Sequence, residues 1–232
     1  MWYKLKRIMM RPNGVEKQVR PDTWWKPWSN TIAYLKLEQN TNDSSWKWNN
    51  GTGTNITYTT LSTWKKVATL NWSSRVDFSS SLFSSWSFTT SMWIYWNGLT
   101  SSSGALYVIM GNAANDSQWL IEDYHNYSGW YLRTSMNRGA GVHTRYGYSD
   151  RTWFLYTVTY NGSSVSTYKN GSLLGTASAS FGWVRNFYLW YRVYNNDRYW
   201  IWYFSDFICE NKARTAQEVT DYYNLTKANY WL

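Results

Sequence analysis

Residues 151–176 read RTWFLYTVTYNGSSVSTYKNGSLLGT, and this stretch decides the fold. Phe154, Tyr156, Val158 and Tyr160 alternate with Leu155, Thr157 and Thr159; aromatic and β-branched residues with two-residue sidedness are the signature of a strand. Asn161-Gly162 and Asn170-Gly171 follow. Both dipeptides tolerate the positive φ of a tight hairpin, so Val165 to Tyr168 is predicted antiparallel to the strand before it and to the one beginning at Leu173. The stretch is a meander.

Upstream, from Thr31, short β-rich runs broken by polar turns repeat: IAYLKLEQ, then a loop to Thr60, VATLN, RVDFS, SFTTSMWIYWN, ALYVIMGN, QWLIEDYHN, WYLRTSMN and GVHTRYGY. Downstream come NFYLWYRVYNN and RYWIWYFSDFICE. Strands at this spacing predict an all-β sandwich. One helix stands out: Thr215 and Glu218 form a capping box ahead of Val219, Tyr222 and Tyr223, whose spacing gives one apolar face to lay on the sandwich.

In order and spacing these motifs resemble the laminin-G-like branch of the concanavalin A-like lectin and glucanase superfamily. The central match is Trp153, Thr157, Tyr160, Asn161, Gly162, Tyr168, Asn170, Gly171 and Gly175. The closing strand and helix match through Ile201, Ser205, Asp206, Phe207, Thr215, Glu218, Tyr222 and Tyr223, and TIAYLKLEQNTNDSSWKWNNGTG follows the family's opening from Ala33 to Gly51. The resemblance spans about residues 31–230. It implies an antiparallel jelly-roll β-sandwich of concanavalin A-like type over residues 29–232, with a short C-terminal helix.

Residues 1–28 lie outside the resemblance and read as a β-hairpin around Arg11-Pro12-Asn13-Gly14. Seven basic residues against Glu16 and Asp22 give this arm 7 − 2 = +5 of the net charge of +9. It is either a docking arm for a protein partner or a solvated hairpin whose lysines protect an edge from pairing. A chain of 232 residues can bury a single β-sandwich core. The single cysteine, Cys209, excludes an intramolecular disulfide framework and is expected to sit in a strand as a small hydrophobe. No apolar run approaches the roughly 20 residues that span a bilayer. The basic N-terminus lacks the apolar core of a signal peptide, so the extracellular, cell-surface or virion-associated location that the resemblance implies would need another export route.

Tryptophan is unusually frequent, with 19 residues. Trp46, Trp48, Trp72, Trp190 and Trp202 stand where the resembling family places glycine. A bulky residue at positive φ costs about 1 to 3 kcal/mol, so either these codons are UGA in a host that reads it as glycine, leaving glycine at many of the five positions, or the lineage took up tryptophan at turns. Trp93 and Trp153 fall where the family has core aromatics.

The glucanase motif E-x-D-x-x-E, which sets neighbouring acids on one cleft, is absent. Asp206 and Glu210 come nearest, on one face of a strand but roughly 13 Å apart at about 3.3 Å per residue, too far for the roughly 5 to 9.5 Å that glycosidases use. With two histidines and no G-x-S-x-G elbow, nucleophilic triads and histidine-rich metal sites have little support; the expectation is a chain that is not an enzyme. Calcium is the one candidate cofactor, through Asp116, Asp123 and Asp197 in loop-like sequence, because related modules hold it with loop carboxylates.

Sugar binding needs aromatic faces for a pyranose ring and planar polar groups for its hydroxyls. Two segments offer both: Trp130, Tyr131, Arg133, His143, Arg145 and Tyr146, and then Tyr194, Asn196, Arg198 and Tyr199. With the resemblance, they predict a non-catalytic, lectin-like module for a glycan or cell-surface polysaccharide. The rival is a structural or attachment module of a cell-surface or phage-like fibre recognising a protein. Nucleic acid is a weaker third partner, because the basic charge concentrates in the arm.

Overall fold

The computed structural model describes residues 29–71, 73–78, 82, 87–96, 106–112, 119–126, 129–134, 151–180, 187–192 and 202–230. For 96, 106–108, 112, 119–126, 129–133 and 191–192 the backbone alone is described. The hairpin expected over residues 1–28 lies outside the described residues, as does the strand expected at GVHTRYGY.

Among the described residues the strands run β1 Thr31–Leu35, β2 Gly51–Thr54, β3 Thr57–Thr60, β4 Lys66–Leu70, β5 Arg75–Phe78, β6 Phe88–Trp96 and β7 Leu106–Asn112. They continue with β8 Trp119–Asn126, β9 Gly129–Arg133, β10 Trp153–Tyr160, β11 Ser164–Lys169, β12 Ser172–Ser178, β13 Phe187–Arg192 and β14 Trp202–Glu210. Helix α1, Ala216–Thr226, and a 3-10 turn, Lys227–Tyr230, follow as the last described elements.

Two antiparallel sheets form. One has the order β12-β11-β10-β6-β14-β4-β3, with β1 also on β14; the other runs β2-β5-β13-β7-β8-β9. Between them lies a core that includes Leu35, Val76, Phe78, Met92, Ile94, Phe154, Tyr156, Phe187, Leu189, Phe204 and Phe207. The architecture is the predicted concanavalin A-like sandwich.

The meander forms as its turns require. Val165 pairs with Tyr160 and Tyr168 with Thr157 on one side, while Tyr168 pairs with Leu173 on the other. Asn170 (φ 50°) and Gly171 (φ 81°) both occupy the left-handed region, as a two-residue hairpin turn demands. Every residue of β10 is buried, including the face away from the sandwich core. The reason is a second layer: Trp93, Trp153, Leu155 and Ile208 on the outside of the larger sheet pack beneath Tyr222 and Tyr230.

Helix α1 seals that layer. Thr215 caps it by accepting from the Glu218 amide, and Glu218 closes the capping box. Val219 and Tyr222 are buried, so the apolar face read from their spacing is the packed one. The helix rests on the meander's second turn: Thr220 Oγ1 donates to the Gly171 carbonyl over 3.0 Å. Cys209 is a buried free thiol in β14, whose pKa burial pushes well up.

The loop expected up to Thr60 is a correction. It contains β2 (GTGT) and β3 (TYTT), which join different sheets through β5 and β4. Neither run carries an apolar alternation; partners distant in sequence impose the strand. Gly51 fits there because a Cβ would meet Val76 Cγ1 at 2.4 Å.

Candidate functional site

The sheet that carries β8, β9 and β13 aligns residues far apart in sequence. Arg192 of β13 pairs with Tyr107, Tyr107 with Asp123, and Asp123 with Leu132 of β9. One row back, Tyr191, Val108, Glu122 and Arg133 align in the same way. β13 and β9 thus run antiparallel: the chain leaves β13 towards residues 193–200 on the side where Trp130 and Tyr131 begin β9, and leaves β9 after Arg133 in the opposite direction. These are the backbone anchors of the two aromatic and arginine segments singled out in the sequence.

Of the predicted sugar-binding residues, Trp130, Tyr131 and Arg133 stand on β9, the last strand of that sheet among the described residues, opposite His125, Tyr124 and Glu122. Successive positions of a strand alternate between faces, so Tyr131 and Arg133 belong to one face and Trp130 to the other. Their side chains, and all of His143, Arg145, Tyr146, Tyr194, Asn196, Arg198 and Tyr199, lie outside the described residues. Thr134, just after β9, is buried and its hydroxyl lies 3.1 Å from the Tyr156 hydroxyl on the facing sheet. It pins the end of β9 to the core.

Asp206 and Glu210 hold the outer layer together. A register shift between Ser205 and Ile208 marks a β-bulge, with Asp206 at φ 50°, and bulges re-aim side chains. Asp206 Oδ1 accepts from Tyr34 over 2.9 Å, and its Oδ2 accepts from Tyr230 over 2.6 Å and lies 3.0 Å from Lys65 Nζ. Glu38 lies 3.1 Å from the same ammonium. Burial opposes the charge on Lys65, but Asp206 and Glu38 outweigh it and raise its pKa. Burial first, and then Asp206, push both Tyr34 and Tyr230 well above the usual phenol range.

Glu210 pairs with Arg214 in the interior. Burial raises the Glu210 carboxyl although Arg214 opposes it, and burial lowers Arg214 although Glu210 opposes that. The two carboxylates nearest to a catalytic pair are thus each committed to a neighbour. Sequence reasoning singled out Asp206 but missed Lys65, whose approach depends on the β3–β4 turn.

The aspartates proposed for calcium fare differently. Asp116 and Asp197 lie outside the described residues. Asp123 is corrected: it sits inside β8, paired on both sides, rather than in a loop, because the ladders to β7 and β9 hold the segment extended. Among the described residues no group of three His, Cys, Asp or Glu could hold a metal. Asp43, the loop carboxylate of the opening motif, is engaged within its own loop. Its Oδ1 accepts from the Tyr34 and Ser45 amides, and its Oδ2 from Ser45 Oγ and the Asn49 amide.

The tryptophans expected at glycine positions divide. Trp46, Trp48 and Trp190 have φ of 69°, 62° and 59°, and Trp64, unmarked in the sequence reading, has 68°. Trp202 is buried in β14 and does not take positive φ, so its backbone does not itself call for glycine. Trp72 lies outside the described residues. Trp93 and Trp153 are buried under the helix, with Trp93 stacked on Tyr230 at 4.2 Å.

Residues 70–220, more than half of the chain, match the laminin-G family model of the concanavalin A-like lectin/glucanases superfamily. The chain belongs to this family. No curated protein sequence matches it. Among solved structures, the laminin-G-like domain is similar to domain 4 of AbnA, an extracellular GH43 arabinanase of Geobacillus stearothermophilus, in complex with arabinotriose. There the TM-score is 0.65 at 19% identity, over 83% of this chain and 97% of that one. It is also similar to the binding domain of Paraclostridial Mosquitocidal Protein 1, with a TM-score of 0.68 at 18% identity over 84% of this chain and 52% of that one. Botulinum neurotoxin type C, whose cell entry depends on two ganglioside molecules, gives 0.65 at 19% over 84% and 51%. The laminin-G-like domain thus spans about half the length of the two toxin chains. At these identities the likeness is one of fold. Among the described residues, no helix is long and apolar enough to cross a membrane.

Proposed function

We propose that this laminin-G-like domain is a non-catalytic carbohydrate-binding module serving recognition or adhesion at an extracellular, cell-surface or virion surface. The observation that carries the reading is the cross-strand alignment of Arg192 with Leu132 and of Tyr191 with Arg133. It sets Leu132 and Arg133 of the first segment level with the end of β13, where the second segment begins, and Tyr131 and Trp130 beyond that end. Tyr131 and Arg133 on β9, with Arg145 and Arg198 from the adjoining segments, are the residues we assign to the sugar. Aromatic rings cover the apolar face of a pyranose and guanidinium groups bond its hydroxyls. The fold neighbours support the reading in kind, since one is a structure with arabinotriose and another concerns gangliosides. The non-catalytic part rests on the committed state of Asp206 and Glu210.

A glycan array probed with the full chain, with and without calcium, tests it. Binding to a defined sugar set, lost in Arg133→Ala, Arg145→Ala or Arg198→Ala, supports the module; no binding by a folded sample opposes it.

Charge favours a second reading, an attachment module that docks a protein through residues 1–28, which hold +5 of the +9 net charge by seven bases against two acids. A protein partner retained by the full chain and released on deletion of those residues would favour it.

A further inference from the structure

Four tryptophans occupy the left-handed backbone region, against three glycines at positive φ among the described residues. That ordering is inverted from what sterics dictate, because glycine enters this region freely and a bulky side chain meets its own backbone there. Leu37 and Arg151 also have positive φ, as do Asn55, Asn170 and Asp206, whose short polar side chains tolerate it. Tryptophan has no such compensation.

The local geometry at each site is one that selects glycine. At the β3–β4 hairpin the Leu61 amide donates to the Lys65 carbonyl, and the Trp64 amide donates to the Leu61 carbonyl over 2.9 Å. Ser62, Thr63 and Trp64 therefore form a three-residue loop whose last residue, at φ 68°, is left-handed, the position glycine fills in such hairpins. In the β1–β2 loop, Asp43 gathers the Ser45 and Asn49 amides. Closing that loop puts Trp46 and Trp48 left-handed, two residues apart. Trp190 interrupts β13 between Leu189 and Tyr191, which keep their partners Met110 and Val108.

Nor do the indoles compensate by packing at three of these sites. Trp46, Trp48 and Trp64 are 81%, 82% and 86% exposed, the most exposed of the large hydrophobic residues described. A sugar-stacking platform would account for exposure but not for the backbone. It would not account for Trp190, which is buried with the same φ sign. One cause covers all four. UGA differs from the glycine codon GGA only at its first base and from the tryptophan codon UGG only at its third.

We propose that residues 46, 48, 64 and 190 are glycine in the protein its own cells make, encoded by UGA that the host reads as glycine. The tryptophans at 93 and 153, which fill the layer under the helix, are true tryptophans encoded by UGG. Trp202, buried without positive φ, is not assigned by this geometry.

Two measurements test this. The gene's codons, with peptide masses of the protein isolated from the organism that encodes it, should give UGA and glycine at 46, 48, 64 and 190, and UGG and tryptophan at 93 and 153. UGG or tryptophan at all four would overturn the proposal. Thermal unfolding of the full chain should show a raised midpoint when Trp46→Gly, Trp48→Gly and Trp64→Gly are combined, and a lowered one for Trp93→Gly. A midpoint unchanged or lowered by the triple substitution would contradict the backbone argument. Trp190 is left out of that set because removing a buried indole also removes core packing.

Discussion

The Tyr230 hydroxyl donates to Asp206 Oδ2 across 2.6 Å, tying the last turn of the described chain to a bulge in the strand at the centre of the larger sheet. Lys65 and Tyr34 converge on the same carboxylate. Removing one partner of a buried charged cluster leaves the other uncompensated, at about 3 to 5 kcal/mol. Asp206→Ala is expected to lose stability on that scale. Tyr230→Phe keeps the ring on Trp93 and gives up one bond to a charged group, about 2 kcal/mol. Denaturant unfolding of the two variants measures both, and equal losses would contradict the assignment.

Alkaline pH should unfold the domain through the same cluster. Tyr34, Tyr222 and Tyr230 have pKa values raised from 10.0 by burial, so the folded state keeps protons that the unfolded state gives up. Stability falls with pH wherever the unfolded state binds fewer protons. Lys65, raised from 10.5, adds in the same sense: its stabilisation is complete below that value and is lost as pH rises through the folded one. Stability is expected to hold up to about pH 10 and decline above it. Following tyrosinate absorbance and circular dichroism together checks this, because the buried phenols should ionise only as the fold is lost.

The helix cap makes a smaller, acid-sensitive contribution. Lys212, and then the Thr215 amide, hold Glu218 below its ordinary 4.5. A depressed carboxylate stabilises above the unfolded value and loses that as pH falls through the folded one, so the contribution fades below 4.5. Glu218→Gln should flatten the loss of stability in that window. Thr215→Ala should cost about 1 kcal/mol at neutral pH. Thermal unfolding across acid pH reads both.

Gly171 should not accept a side chain. It has φ 81°, and a Cβ there would lie 3.1 Å from Thr220 Cα in the helix above. Gly171→Ala combines backbone strain with a clash against the docked helix, and more than about 1 kcal/mol is expected. Gly175→Ala, in a strand without that φ, is the comparison, and the two losses should differ clearly in denaturant unfolding.

These dependencies mark what a sequence can reveal. Residues 153–178 were legible because Asn161-Gly162 and Asn170-Gly171 fold the chain onto its own neighbours, and the helix because Thr215 and Glu218 are local. β2 and β3 were not legible: Thr and Gly acquire strand form only by pairing with Arg75–Phe78 and Lys66–Leu70. The bulge at Asp206 and the arrival of Lys65 are products of tertiary register. So is the alignment of Arg192 with Leu132, which no spacing along the chain encodes. Trp64 escaped notice because its left-handed backbone follows from hairpin closure, and the sequence shows only an ordinary polar turn.

Equilibrium titration of the full chain with the sugar that binds best on the array tests the central claim most directly. We expect saturable binding at a single site, weakly dependent on salt and abolished by Arg133→Ala with the fold intact. Absence of saturation, or an affinity that falls steeply with salt as phosphate or bare charge contacts do, would contradict a carbohydrate-binding module.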